Sequence, residues 1–221
     1  MNEILAQIDW EAMLTSIQET LYMTFLSLLA AVIIGFVIGI ILYVTKEDGL
    51  HPNKVISTIL NFIVNLLRAV PFIILILIIL PLTNLLVGTM LGATAALPAL
   101  IISSAPFYAR MCMIALSEVD KGTIEASKAM GASDMQIIIK ILLPEAKPAL
   151  ISSITVMGVS LVGYTAMAGC IGAGGLGNLA YMYGFARSNM AVMYTATFFV
   201  LVIVFIIQGV GDYVTRRVDK R

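Results

Sequence analysis

Three glycines, Gly172, Gly174 and Gly177, fall into the pattern GxGxxG, the spacing with which a glycine-rich loop brings backbone N–H groups against a pyrophosphate. The context contradicts that chemistry. The glycines follow an apolar run instead of a strand, and no acidic residue lies at the usual distance of about 20 positions downstream. A glycine-rich re-entrant turn is the better reading. No GxxxxGK[ST] occurs anywhere, so the chain lacks the usual phosphate-binding loop and lysine. His51 is the single histidine and sits in a polar loop beside Pro52, which excludes a multi-histidine metal site and argues against a histidine-based triad. We expect a surface residue there. Cys112 and Cys170 are predicted near opposite membrane faces, too far apart for a disulfide, whose Cα atoms must lie within about 7 Å.

A charged, amphipathic island runs from Glu125 to Pro144, EASKAMGASDMQIIIKILLP. Around it the chain is built for lipid: 60% of residues are hydrophobic, 12% are charged, and the mean hydropathy is +1.02. Four runs hold no Asp, Glu, Lys or Arg: Thr20 to Thr45, Ala69 to Ala109, Pro148 to Ala186, and Ser188 to Gly211. About 20 residues span a hydrocarbon core, so the second run is long enough for two crossings. The pattern predicts an all-α integral membrane protein with five transmembrane helices. Their expected spans are Leu21 to Val44, Ile59 to Leu82, Leu86 to Leu116 with a break near Pro98 or Pro106, Pro148 to Cys170, and Ala191 to Gly211.

Orientation follows from the 13 basic residues, because short loops rich in Lys and Arg stay on the cytoplasmic side. Lys46 and Lys54 follow the first helix; Lys121, Lys128, Lys140 and Lys147 follow the third; Arg216, Arg217, Lys220 and Arg221 follow the fifth. The N-terminus carries Glu3, Asp9, Glu11 and Glu19 without a basic residue, unlike a signal peptide, and the segment from Thr83 to Thr94 has no basic residue either. The chain is therefore read as N-out and C-in. Its formal net charge of zero hides this asymmetry and argues against nucleic acid as a partner.

The segment from Val119 to Lys147 reads as two short helices joined by a tight turn. Thr123 is the expected cap of the first, with Glu125 in its first turn. Gly131 suits the left-handed position just past its end, and Ser133 with Gln136 makes a capping-box pattern for the second. Met135, Ile138, Ile139 and Leu142 recur there at helical spacing, and Pro144 is expected to end the helix. One reading is an interfacial helix with its lysines toward anionic lipid. The other is a surface kept for a soluble partner.

Glu125, Ala126, Gly131, Ile141, Leu143 and Pro144 resemble, at the family's own spacing, the EAA motif of permease subunits in bacterial ABC importers. Ser127 stands where that motif most often has alanine, a small-for-small exchange. The likeness extends over nearly the whole chain: ETLYMTFLSLL, LLRAVPFIIL, SSAPFYARM and LVGYTAMAGCIGAGGLGNLAYMYGF resemble the methionine importer permeases. What the resemblance implies is a type I ABC importer permease fold. The implied organisation is an extracytoplasmic segment 1–16, a transmembrane domain 17–210 with coupling helices at about 121–144, and a cytoplasmic tail 211–221. The implied function is methionine uptake in the bacterial inner membrane. ATP and Mg would be bound by two partner ATPase subunits, this chain holding no cofactor of its own. A second copy of the chain and an extracytoplasmic methionine-binding lipoprotein complete the implied assembly. Another small solute, such as a polar amino acid or a quaternary amine, is the alternative. An ion-coupled transporter fits less well, because helices one, four and five carry no ionisable Asp, Glu, Lys, Arg or His.

Two further residues remain open at this level. Arg68, in the inner part of helix two, either snorkels to the cytoplasmic headgroups or makes an intersubunit or pathway contact. Met167 lies among the small residues Thr165, Ala166, Ala168 and Gly169. It either fills a packing gap or, as the resemblance implies, contributes a thioether to a hydrophobic gate at a two-fold axis.

Overall fold

The computed structural model describes residues 8–219, so Glu3, Lys220 and Arg221 of the charge pattern, and the start of the 1–16 segment, lie outside the described residues. Helix α1 (Trp10–Thr45) opens on Asp9, whose carboxylate accepts from the N–H groups of Glu11 and Ala12 at 3.1 and 3.0 Å. At 36 residues it is about 54 Å long, well beyond a hydrocarbon core of about 30 Å. It therefore starts about three turns earlier than the expected Leu21, the acids Glu11 and Glu19 riding on its outer end.

The expected second span is two helices, α2 (Lys54–Ala69) and α3 (Phe72–Val87), bent by 108°. Pro71 causes the break. The residue before a proline is pushed out of the helical region, and Val70 is extended at φ −75°, ψ 123°. The carbonyl of Pro71 then accepts from Ile74 and Leu75 to restart the helix. Counting the bent pair once, the described residues hold five candidate spans.

Helix α4 (Ala93–Ser117), by contrast, passes through Pro98 and Pro106 without the expected break. Its small residues are pressed against α1. A Cβ added to Gly35 would stand 2.6 Å from the Ala105 carbonyl oxygen, and one on Gly39 would stand 2.6 Å from Cys112 Cβ. Ser27, Ala31, Gly35 and Gly39, each four residues apart, make a continuous small-residue seam. Helices held this close at the seam support α4 as one continuous helix through both prolines, where an isolated helix would be weakened or broken.

Helix α5 (Lys121–Ala129) and the short α6 (Asp134–Ile137) form the charged island. Pro144 does not end the second helix as expected. A π-helical turn, Ile138–Leu142, carries α6 directly into α7 (Leu143–Ala168), with the Leu143 N–H donating to the Ile138 carbonyl. Pro144 thus falls in the first turn of a new helical segment, where its missing N–H costs nothing. A second π turn (Gly169–Ala173), the single turn α8 (Gly175–Asn178) and a third π turn (Leu179–Phe185) fold the chain back before α9 (Met190–Val218).

Two opposite ends emerge. At one, Lys46 donates to Ser117 and both Lys46 and Lys121 pair with Asp48. At the other, the outer end of α1 meets the 175–189 segment, and the Gly92 N–H donates to the Gly172 carbonyl. The loops that the charge count assigned to opposite sides are so separated.

Because Gly39 has no room for a side chain, Gly39→Leu should overpack the seam and destabilise the protein by about 1–3 kcal/mol or more. Gly209→Ala, on an open face, should be neutral or slightly stabilising. Thermal unfolding in detergent checks both; equal melting temperatures would contradict the close-packed seam.

Candidate functional site

The island is built from its caps. Asp120, not Thr123, starts α5: its carboxylate accepts from the Thr123 N–H at 2.9 Å and from the Thr123 hydroxyl at 3.3 Å. An aspartate three residues ahead outcompetes the hydroxyl, which becomes a donor. Glu125 consequently sits in the second turn of α5 instead of the first. Gly131 has φ +83°, and the paired bonds Ala132 N–H to Ser127 O and Gly131 N–H to Lys128 O form a Schellman motif. Ser133 and Gln136 exchange both bonds of a capping box.

These devices fix which side chains face inward. Ile124, Ile137 and Leu142 bury themselves against Tyr43, Cys112, Leu116 and Leu150. Of the four apolar residues read as one helical face, Leu142 is buried and Ile138 half-buried, but Met135 and Ile139 point outward. The π turn shifts the register between them, so a single helical period does not describe this stretch. Met130, Met135 and Ile139 are 81%, 64% and 55% exposed, beside exposed Glu125, Ala126, Lys128 and Lys140. The result is an apolar surface with a charged rim at the polar end of the chain, the composition of a protein-docking patch. Ile141 and Leu143 are half-buried and Pro144 is exposed.

Ser127, the departure from the alanine of the motif, is buried, and its hydroxyl donates to the Thr123 carbonyl at 2.8 Å. The exchange is absorbed within the helix. The island is tied to the end of α1 by Lys121 and Asp48 at 2.7 Å and by the pairing of His51 with Asp134. His51, expected as a plain surface residue, is exposed but partnered.

The other predicted site residues lie elsewhere. Met167 is 47% exposed on α7, on a stripe with Val156, Ser160, Gly163 and Cys170 that no other described element covers. Arg68 ends α2 with its guanidinium 6.0 Å from the Phe107 ring. Cys112 and Cys170 are both free thiols.

The glycine turn also resolves. Gly172, Gly174 and Gly175 have positive φ, and the Gly175 N–H donates to the Glu19 carboxylate at 2.6 Å while the Leu176 N–H donates to Thr20 Oγ1 at 2.9 Å. The amides a phosphate would need are already occupied by α1. Glu19 and Thr20 were not identified from sequence as turn anchors, since 156 residues separate them from their partners. Arg110, which donates to Asn61 Oδ1 at 3.0 Å across α2 and α4, was likewise not singled out. An arginine inside an apolar helix was the available signal.

Residues 35–220 match the family described as binding-protein-dependent transport system inner membrane component. The chain belongs to this family. It is accordingly a multi-pass inner-membrane transport component with a permease fold. The permease is 53% identical to the methionine import system permease protein MetP of Bacillus subtilis (strain 168), over 97% of this chain and 96% of that one. It is 46% identical to the probable D-methionine transport system permease protein MetI of Pasteurella multocida (strain Pm70), over 96% and 98%. A solved structure described as an inward-facing conformation of the MetNI methionine ABC transporter superposes with a TM-score of 0.93 at 43% identity, covering 96% of this permease and 98% of that chain.

Hydrogen bonds from Lys121 and Lys46 hold the Asp48 carboxyl down at about 2, and Asp48 in turn raises the Lys121 ammonium. The tether is thus fully formed above the ordinary carboxylate value near 3.8 and is lost as pH falls toward about 2. At the other limit it persists below the ordinary lysine value of 10.5 and is lost as pH rises through the raised value. Both groups are solvent-exposed, so the contribution to global stability is small and screened by salt. Asp48→Asn should speed amide exchange across α5 at neutral pH while leaving α1 and α4 protected. Unchanged exchange in α5 would show that the tether does not position it.

Proposed function

We propose that this chain is the permease subunit of an ATP-driven importer that moves methionine inward. One observation carries the reading: the second helix of the exposed island and the Met167 stripe belong to a single run, Asp134–Ala173, 40 residues long. A force applied at Met135 and Ile139 is transmitted along that run to Met167 without an intervening loop. Methionine as substrate is supported by the relatives' descriptions and by a pathway stripe that is apolar and uncharged.

In this reading two copies of the chain, related by a two-fold axis, each dock one ATPase through Glu125, Ala126, Ser127, Gly131, Ile141, Leu143 and Pro144. ATP and Mg are held by those partners. The coupling helices about 121–144 lie in a transmembrane domain 17–210, flanked by an extracytoplasmic segment 1–16 and a cytoplasmic tail 211–221. A methionine-binding lipoprotein docks on the outer loops around 83–94 and 172–187. ATP binding closes the ATPases, draws the two islands together and opens the Met167 gate outward. Hydrolysis returns it inward. Arg68 belongs to the same pathway.

Vesicles containing the permease, its ATPase and its binding protein should accumulate labelled methionine only with ATP, against excess betaine and glutamine. Preference for a competitor would discard methionine, and uptake without the ATPase would discard the importer. A β-branched residue at φ +83° is strained by about 1 kcal/mol or more, so Gly131→Val should lower uptake per ATP hydrolysed while insertion persists. Full coupling in that variant would remove the island from the mechanism.

A further inference from the structure

Arg68 stands at a depth where an arginine needs a partner. Phe107, its neighbour, lies ten residues before Ser117, or about 15 Å along α4 from the end where Lys46 meets Ser117. That is close to half of a hydrocarbon core of about 30 Å. An arginine that deep is costly, by about 2.5–3.5 kcal/mol on insertion scales, unless it faces a polar partner or water. Among the described residues no carboxylate pairs with it. Its only described contact is the Phe107 ring.

The surroundings suit one kind of ligand. On α2 the polar residues Lys54, Ser57, Asn61, Asn65 and Arg68 recur every three or four positions and form one stripe. Asn61 is engaged by Arg110, whereas Asn65, one turn before Arg68, is exposed and makes no described hydrogen bond. A lipid-facing location is disfavoured for this stripe by the same insertion cost. Beside it, Phe107 packs on the core that holds Phe72 and Tyr164, whose rings stack at 4.8 Å. Tyr164 directly precedes Thr165 on α7 and adjoins Gly163 on the open Met167 stripe. The exposed cation and amide at the end of α2 thus stand beside Phe107, which packs on the same core as Phe72 and Tyr164.

We infer that Arg68 and Asn65 form a transient substrate subsite within the membrane, taking the two charged ends of a zwitterionic amino acid. The guanidinium donates to the carboxylate, and the Asn65 carbonyl oxygen accepts from the ammonium. An apolar side chain, a thioether above all, lies against the partly exposed rings of Phe107 and Tyr164. The subsite rests on the importer reading proposed above and gives it a point of chemical discrimination independent of the binding protein. It also places the Arg68 charge in the pathway, where a solute without a carboxylate would leave it unpaired.

The test uses the permease–ATPase complex in nanodiscs without the binding protein, and labelled methionine as the probe. Methionine should bind and methioninol, which lacks the carboxylate, should compete at least tenfold less well. Arg68→Gln should abolish that discrimination and weaken methionine binding about tenfold or more, Arg68→Lys should restore part of it, and Asn65→Leu should weaken it less. In vesicles with the binding protein, Arg68→Gln should lower uptake per ATP while the loaded binding protein still stimulates hydrolysis. Wild-type binding and uptake retained in Arg68→Gln, or methioninol competing as well as methionine, would overturn the subsite. A wild-type complex that imports a different amino acid, with Arg68→Gln losing discrimination against its amino alcohol, would sustain the subsite and overturn methionine. Import of an uncharged or quaternary solute would overturn both.

Discussion

The contact on which the rest depends is the backbone-to-backbone approach of α1 and α4 along Ser27, Ala31, Gly35 and Gly39. Within a bilayer there is no hydrophobic gain from bringing two apolar helices together, so close dispersion contact must supply the attraction. Glycines opposite Ala105, Ala109 and Cys112 permit that approach, and larger side chains would prevent it. The seam packs against α4, which continues unbroken through Pro98 and Pro106 and presents both Phe107 and Arg110 to α2. It also carries α1 intact to its inner end, where Lys46 and Asp48 reach the charged island.

Beside that close-packed pair, the run from Asp134 to Ala173 departs from regular α-helix at both ends of α7, at Ile138–Leu142 and at Gly169–Ala173. The first is a π turn, which inserts an extra residue and weakens the local hydrogen-bond ladder without breaking the helix. The second is a kink, with Ile171 and Gly172 outside the helical region. At this outer end the chain is tied to α1, because Glu19 and Thr20 hold the amides of Gly175 and Leu176. Gly177 then packs against the backbone of Ala166, closing the hairpin beneath Met167.

The polar groups divide accordingly. Those at the two ends pair with one another and hold loops in place: Lys121 with Asp48, His51 with Asp134, Glu19 with Gly175. Among the described residues, Arg110 donates to Asn61, and Arg68 meets an aromatic ring. Met130, Met135 and Ile139 are the apolar counterpart, exposed where no lipid would cover them. An unpaired charge in lipid and a bare apolar patch in water are both expensive in an isolated chain, and both are consistent with a molecule that works with partners.

Composition and spacing by themselves determined the membrane setting, the helical class, the sidedness of the loops and the place of the island, because each follows from local chemistry. Apolar length is set by the bilayer, Lys and Arg by the inner surface, and Gly131 and the Ser133–Gln136 pair by bonds that span only a few residues. What proline does was decided only by tertiary structure. Pro71 breaks a helix, Pro98 and Pro106 lie inside one continuous helix packed on α1, and Pro144 follows a π turn, though the local sequence gives all four the same covalent constraint. The outward direction of Met135 and Ile139, the Glu19 clamp and the unpaired state of Arg68 belong to the same class. They depend on which distant residues arrive beside them, and an effect transmitted through space leaves no mark on sequence spacing.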